Sequence, residues 1–191
     1  MKKKHALALI LALFTLLATG CAAQKDGQTT IVTSFYPMDV RTLNVTDGVD
    51  GVTVQNMAEQ NVGCLHDYQL QTRDMVTLEG ADALVINGGG MEQFMDKVIS
   101  LRADLPVIDA GEGIEMFPSD EEHDHDAHGH DDHDELYNAH VWLDPNRAMI
   151  QVQNIADGLA EADPEHAEIY QKNAESYIAR LTALNAELAE Q

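Results

Sequence analysis

Four short runs of β-branched and aliphatic residues, each set apart from the next by a stretch of helical period, constrain this chain more than any other feature. The runs are Thr30–Ser34, Gly51–Gln55, Ala83–Asn87 and Pro106–Asp109. Pro37 opens a helix that continues through Asp39 to Val45, and further helices are predicted over Gln71 to Glu79 and Met91 to Leu101. Asp74 falls in the first turn of its helix, where the helix dipole favours an anion. The third run is apolar without interruption, as a strand covered on both faces must be. Strands joined through helices run parallel, so the pattern predicts an α/β fold with a parallel four-stranded sheet flanked by helices. The glycine run Gly88-Gly89-Gly90 invites a phosphate-loop reading, but it matches neither the dinucleotide nor the P-loop spacing. A sharp strand-to-helix turn accounts for it better.

Beyond residue 136 the chain reads as helical to its end. Asp144-Pro145 and Asp163-Pro164 each supply an N-cap followed by proline at the first helical position. The first of these helices offers Met149, Val152, Ile155, Ala156 and Leu159 to a core. The second carries Tyr170, Ala174, Tyr177, Leu181, Leu184 and Leu188, one apolar stripe on a helix of about 27 residues and ~40 Å. A short coiled coil is the alternative for such a stripe.

Between the sheet pattern and these helices lies "HDHDAHGHDDHDE", His123 to Glu135, inside a polar segment spanning 119–136. It holds five histidines, His123, His125, His128, His130 and His133, among carboxylates. Such a tract has too little apolar surface to offset the entropy of ordering, so it is at least a solvated loop. Imidazole is also the commonest borderline ligand for zinc, copper and nickel, which makes metal capture the sharper reading.

The start of the chain bears on its compartment. Lys2, Lys3 and Lys4 precede an apolar stretch from Ala6 to Ala18, too short for a membrane span that needs about twenty residues. Leu17-Ala18-Thr19-Gly20-Cys21 resembles a bacterial lipoprotein signal, with Cys21 as the lipidated first residue; an ordinary signal peptide cut nearby is the alternative. Residues 1–20 then form the leader and 21–29 a tether. The whole chain has 11 Lys+Arg against 33 Asp+Glu, a formal charge of −22 that becomes −25 once the three leader lysines are gone. That balance excludes a nucleic-acid partner, which requires a basic face. It suits cations. With Cys21 lipidated, Cys64 has no intrachain disulfide partner. Roughly 165 residues remain for one domain with a real core.

Two more histidines sit in loops. His66 follows the second strand in "GCLHDYQLQTRD", and His140 precedes a capped helix in "NAHVWLDP". Open α/β sheets bind ligands at the carboxyl ends of their strands, where these two loops can meet. A lone loop histidine is more often structural or merely exposed. Cys64, two residues before His66, reads either as a small apolar turn residue or as a thiolate ligand.

Taken in order, "IVTSFYPM", "HDYQLQTRD", "ADALVINGGGMEQFMDKV", the His/Asp-rich insertion, "HVWLDP" and "YQKNAESYIARL" resemble the cluster A-I solute-binding lipoproteins of bacterial ABC importers, the zinc and manganese receptors. Leu65 stands where many members have proline. The resemblance implies two α/β lobes bridged by one long helix, with metal between them. It makes residues 30–163 the N-terminal lobe and 164–191 the start of the bridging helix, with the second lobe absent. It implies that His66 and His140 are the first-lobe metal ligands. It further implies zinc as cargo, with manganese second, an importer permease as partner, a lipid anchor to the membrane and an extracytoplasmic location. The tract would then be an auxiliary collector. Three alternatives stay open: a manganese receptor, a passive zinc-storage or chaperone lipoprotein that needs neither His66 nor His140, and a truncated, non-transporting product. An enzyme is not expected, since no HExxH or comparable helix motif is present.

Overall fold

The structure, a computed structural model, describes residues 28–58, 65, 68–118 and 137–190. The leader, Cys21, Cys64, His66 and the five tract histidines lie outside the described residues.

Four strands, β1 (Thr29–Thr33), β2 (Val52–Asn56), β3 (Ala83–Ile86) and β4 (Val107–Asp109), form one sheet in the order β2-β1-β3-β4, with every pairing parallel. The expected sheet is therefore present, its strands displaced by a residue or so at the ends. β1 begins at Thr29, whose N–H donates to the Gly51 carbonyl at 2.7 Å.

The helices are α1 (Tyr36–Val45), α2 (Thr72–Glu79), α3 (Asp96–Leu101), α4 (Pro145–Ala162) and α5 (Ala167–Ala189). α1 starts on the extended Phe35 with Pro37 in its first turn, where a missing N–H costs nothing. α2 opens with a capping box: Asp74 accepts from the Gln71 N–H at 2.8 Å while the Gln71 side chain covers the Asp74 amide. The stretch Met91–Leu101 is not one helix. It is a turn, a 3-10 segment (Gln93–Met95) and then the short α3.

Side chains alternate across the sheet and build two cores. Ile31, Val85 and Ile108 face α1, α4 and α5, meeting Phe35, Met38, Val152, Ile155, Leu159 and Tyr170. Val32 and Leu84 point the other way, against Leu78, Met95 and Leu105. The result is a helix–sheet–helix sandwich. Gly158 lets α4 lie directly on β4, since a Cβ there would come within 2.7 Å of Ile108 Cγ2.

Of the helix starts expected at Asp-Pro pairs, one holds. Asp144 caps α4 through the Asn146 N–H at 2.7 Å. α5 begins three residues after Pro164; the Asp163 carboxylate there accepts from the Glu165 N–H and also from the Tyr170 hydroxyl and the His166 Nδ1, each of the last two at 2.7 Å. Along α5 burial fades as the stripe proceeds. Tyr170 and Ala174 are buried, Tyr177 and Leu181 half-buried, Leu184 and Leu188 exposed.

A two-stranded antiparallel ribbon, β5 (Phe117–Pro118) with β6 (Tyr137–Asn138), was not expected. It joins the chain on either side of residues 119–136. Pro118 and Tyr137, the residues on either side of that segment, are therefore paired with each other.

Candidate metal site

The carboxyl ends of β1 and β3 are tied together by one buried carboxylate. Glu92 Oε1 accepts from the Ser34 hydroxyl and from the Asn87 N–H, both at 2.7 Å, and Oε2 accepts from the Gly88 N–H at 3.1 Å. Burial pushes the Glu92 carboxyl up to about 7, against those three hydrogen bonds, which favour the ionised form. Gly88, Gly89 and Gly90 all have positive φ, at 77, 63 and 87°. A side chain at Gly88 would collide with the Asp109 carboxylate. The triglycine is thus a sharp turn, and the chain's own Glu92 takes the Asn87 and Gly88 amides at its start.

Asn87, fully buried just beyond β3, carries the next connection. Its Nδ2 donates to the Gly88 and Ala139 carbonyls at 2.9 Å each, and its Oδ1 accepts from Gln151 Nε2 of α4 at 2.9 Å. The Ala139 carbonyl is thereby fixed to the carboxyl edge of the sheet. His140 is the next residue.

His140 opens a 3-10 turn (Val141–Leu143) that leads into α4. Its Nδ1 lies 2.9 Å and its backbone nitrogen 3.0 Å from Asn138 Oδ1. The ring leans on Trp142, centroids 4.9 Å apart, and Trp142 meets Phe35 edge-on at 5.0 Å. Arg41 of α1, buried, donates to the Trp142 carbonyl at 3.0 Å and to the Pro37 carbonyl at 2.8 Å, which pins the turn to α1. The imidazole lines a surface groove with Phe117, Asn138, Leu143, Asp144 and Arg147, the Arg147 guanidinium stacked 3.8 Å over the Phe117 ring. His140 is thus a loop histidine held from several sides and still reached from solvent.

On the opposite side of the expected site only the residues flanking His66 are described. Leu65 is fully buried in the larger core, and its carbonyl accepts from the Tyr68 N–H at 2.9 Å, a bond that spans residues 66 and 67. Tyr68 donates its hydroxyl to the fully buried Asp74 at 2.8 Å and packs its ring on Phe94. Asp74 therefore supports this loop's exit from inside the protein. Among the described residues no three His, Cys, Asp or Glu side chains gather as a metal site.

The sequence singles out His140 as a candidate but not the groups that hold it. The signal for Asn138 was present: an asparagine two residues before an N–H it can accept from is a common local motif. Glu92 was legible in principle as the acid that follows a run of glycine amides. Asn87 and Arg41 act across 52 and 101 residues of chain, and no local pattern announces such contacts.

Residues 31–191 match the family described as the periplasmic component A of zinc-uptake complexes, ZnuA. The zinc-binding lipoprotein AdcA of Streptococcus pneumoniae is 32% identical over 188 residues, 95% of this chain and 37% of its own length. The iron-binding protein YfeA of Yersinia pestis is 30% identical over 190 residues, 97% of this chain and 57% of its own length. The crystal structure of Zn(II)-bound AdcA from Streptococcus pneumoniae superposes with a TM-score of 0.71 at 27% identity, covering 85% of this chain and 32% of that one. The chain thus spans between about a third and three-fifths of the relatives it matches. Among the described residues no helix is long and apolar enough to cross a membrane. With the family match running from the first strand to the last residue, this chain belongs to the ZnuA family of periplasmic zinc-uptake components.

Proposed function

We propose that this chain supplies the first metal-capturing lobe of an extracytoplasmic receptor that delivers zinc to the membrane permease of an ABC importer. His66 and His140 are its two cargo ligands, and a second lobe completes the coordination. The observation that carries this reading is the seat of His140: an imidazole at the carboxyl edge of a parallel sheet, hydrogen-bonded at Nδ1 and lining a groove.

Zinc takes nitrogen ligands at about 2.0–2.1 Å in a tetrahedral shell, so two histidines on one lobe fill half of it. Ligands divided between lobes make capture and cleft closure one event, and opening the cleft releases the ion. The tract of His123, His125, His128, His130 and His133 acts as a tethered collector that raises the local zinc concentration. Lipidation at Cys21 keeps the receptor at the membrane, beside its permease.

Zinc is the preferred cargo because two neutral imidazoles suit it better than manganese, which favours carboxylate and water oxygens. A broader range is the second reading, favoured by the iron-binding relative YfeA. The test is chelator competition on the full chain with the five tract histidines changed to asparagine. One retained zinc, displaced by neither Mn(II) nor Fe(II) at tenfold excess, supports the zinc receptor. Retention with ready displacement favours the broader range, and loss of all zinc favours the storage lipoprotein.

A further inference from the structure

A neutral histidine binds a metal through the one nitrogen that carries a lone pair, and a hydrogen bond at the other nitrogen decides which that is. Asn138 Oδ1 lies 3.0 Å from the His140 backbone nitrogen and 2.9 Å from its Nδ1. The backbone N–H only donates, so the Asn138 atom facing it must be the amide oxygen. This orientation follows from the hydrogen-bond chemistry of the two groups. That oxygen only accepts. Nδ1 must then carry the hydrogen, and the lone pair is placed on Nε2.

From this geometry we propose that Asn138 is the positioning residue for metal capture: it fixes the tautomer of His140 and aims Nε2 at the ion. The proposal rests on the reading of His140 as a ligand. Asn138 is itself held on both sides. Its backbone pairs with Phe117 in the ribbon, and Asn87 grips the Ala139 carbonyl between it and His140. The Trp142 ring limits rotation of the imidazole from below. Three consecutive residues are therefore fixed by ribbon, sheet and aromatic packing before any metal arrives, which lowers the ordering cost of binding.

The chemistry of the orienting group also matters. A carboxylate in this position makes the imidazole more basic and binds the metal more firmly. An amide orients the ring with less gain in basicity. A receptor that must surrender its cargo is served by the weaker partner, so Asn138→Asp should tighten zinc and Asn138→Leu should weaken it.

The test uses the full chain labelled with 15N-histidine, the His140 resonances being identified by their loss in His140→Ala. In the metal-free protein the ring should show a pyrrole-like Nδ1 and a pyridine-like Nε2. Asn138→Leu should shift the ring toward the Nε2–H form and weaken zinc binding, read at His140 itself, by about 10–100-fold. Asn138→Asp should preserve the tautomer and bind zinc at least as tightly as the parent, a rescue that a purely structural role would not give. The proposal is overturned if the leucine variant keeps the Nδ1–H form, or if the aspartate variant loses as much affinity as the leucine variant. If His140→Ala leaves zinc affinity intact, the ligand reading fails, while the tautomer result in metal-free protein is judged independently of it.

Discussion

Glu92→Gln should change how stability depends on pH, by an amount the structure fixes. Burial holds the folded carboxyl to about 7, whereas its ordinary value is 4.5. Between those two values the unfolded chain has lost this proton and the folded chain keeps it. Stability therefore falls as pH rises, by ~1.4 kcal/mol per unit. From pH 5 to pH 8 the loss attributable to Glu92 comes to about 2–3 kcal/mol. Glutamine has no proton to lose. It retains an oxygen for Ser34 and Asn87 but sets an NH2 group against the Gly88 N–H, a pH-independent cost of ~1–3 kcal/mol. The variant should be less stable than the parent at pH 5, and the deficit should close or reverse by pH 8. Urea unfolding at unit pH steps, in chelator to remove metal, gives the difference directly. Asp39, whose carboxyl is also raised by burial, titrates in both proteins and cancels, whereas Asp109, likewise raised by burial, repels the Glu92 carboxylate and cancels only in part. A difference that stays constant from pH 5 to pH 8 would refute the reasoning.

Other perturbations follow from the same contacts. Asn87→Ala leaves the Ala139 carbonyl and the Gln151 amide without their partner, and Gln151 Oε1 already lacks one, so a loss of ~2–4 kcal/mol in urea unfolding is expected. A cost below about 0.5 kcal/mol would mean water replaces Asn87 freely. Gly158→Ala places a methyl 2.7 Å from Ile108 Cγ2, and the overpacking, ~1–3 kcal/mol, should exceed the ~1 kcal/mol gained in helix propensity. Combining it with Ile108→Ala should cost less than the two single losses added together. The hydrogen bond that His166 donates to the Asp163 carboxylate raises the His166 pKa above 6.5, so this pair stabilises the α4–α5 corner below that pH and the contribution disappears as pH climbs through the folded pKa. Titration of His166 by NMR should show the raised value in the parent and its loss in Asp163→Asn.

The parallel sheet was legible because strands covered on both faces write their burial into local composition. Ala83–Ile86 is apolar throughout and has no other place in a small domain. The helices α4 and α5 were legible by period, yet the start of α5 was not. Asp163 looks like a simple backbone cap, yet its carboxylate is shared by the Glu165 N–H, the His166 ring and the Tyr170 hydroxyl, and the helical run starts only at Ala167. The ribbon Phe117–Pro118 with Tyr137–Asn138 escaped for another reason. Two-residue strands carry no period, and they pair across a segment whose length the sequence does not relate to closure. The site divides in the same way. His140 announces itself as an imidazole before a capped helix, whereas its fixed geometry depends on Asn87 and Arg41, which the fold brings from distant parts of the chain.

The central claim is that His66 and His140 hold the captured ion together. Zinc-edge X-ray absorption on the full chain with its five tract histidines replaced and one equivalent of zinc bound addresses it most directly. Two imidazole ligands at about 2.0–2.1 Å are expected in the parent, and in either His66→Ala or His140→Ala at most one imidazole ligand on whatever zinc remains, with weakened or lost zinc retention. An unchanged spectrum and unchanged zinc retention in both variants would contradict it.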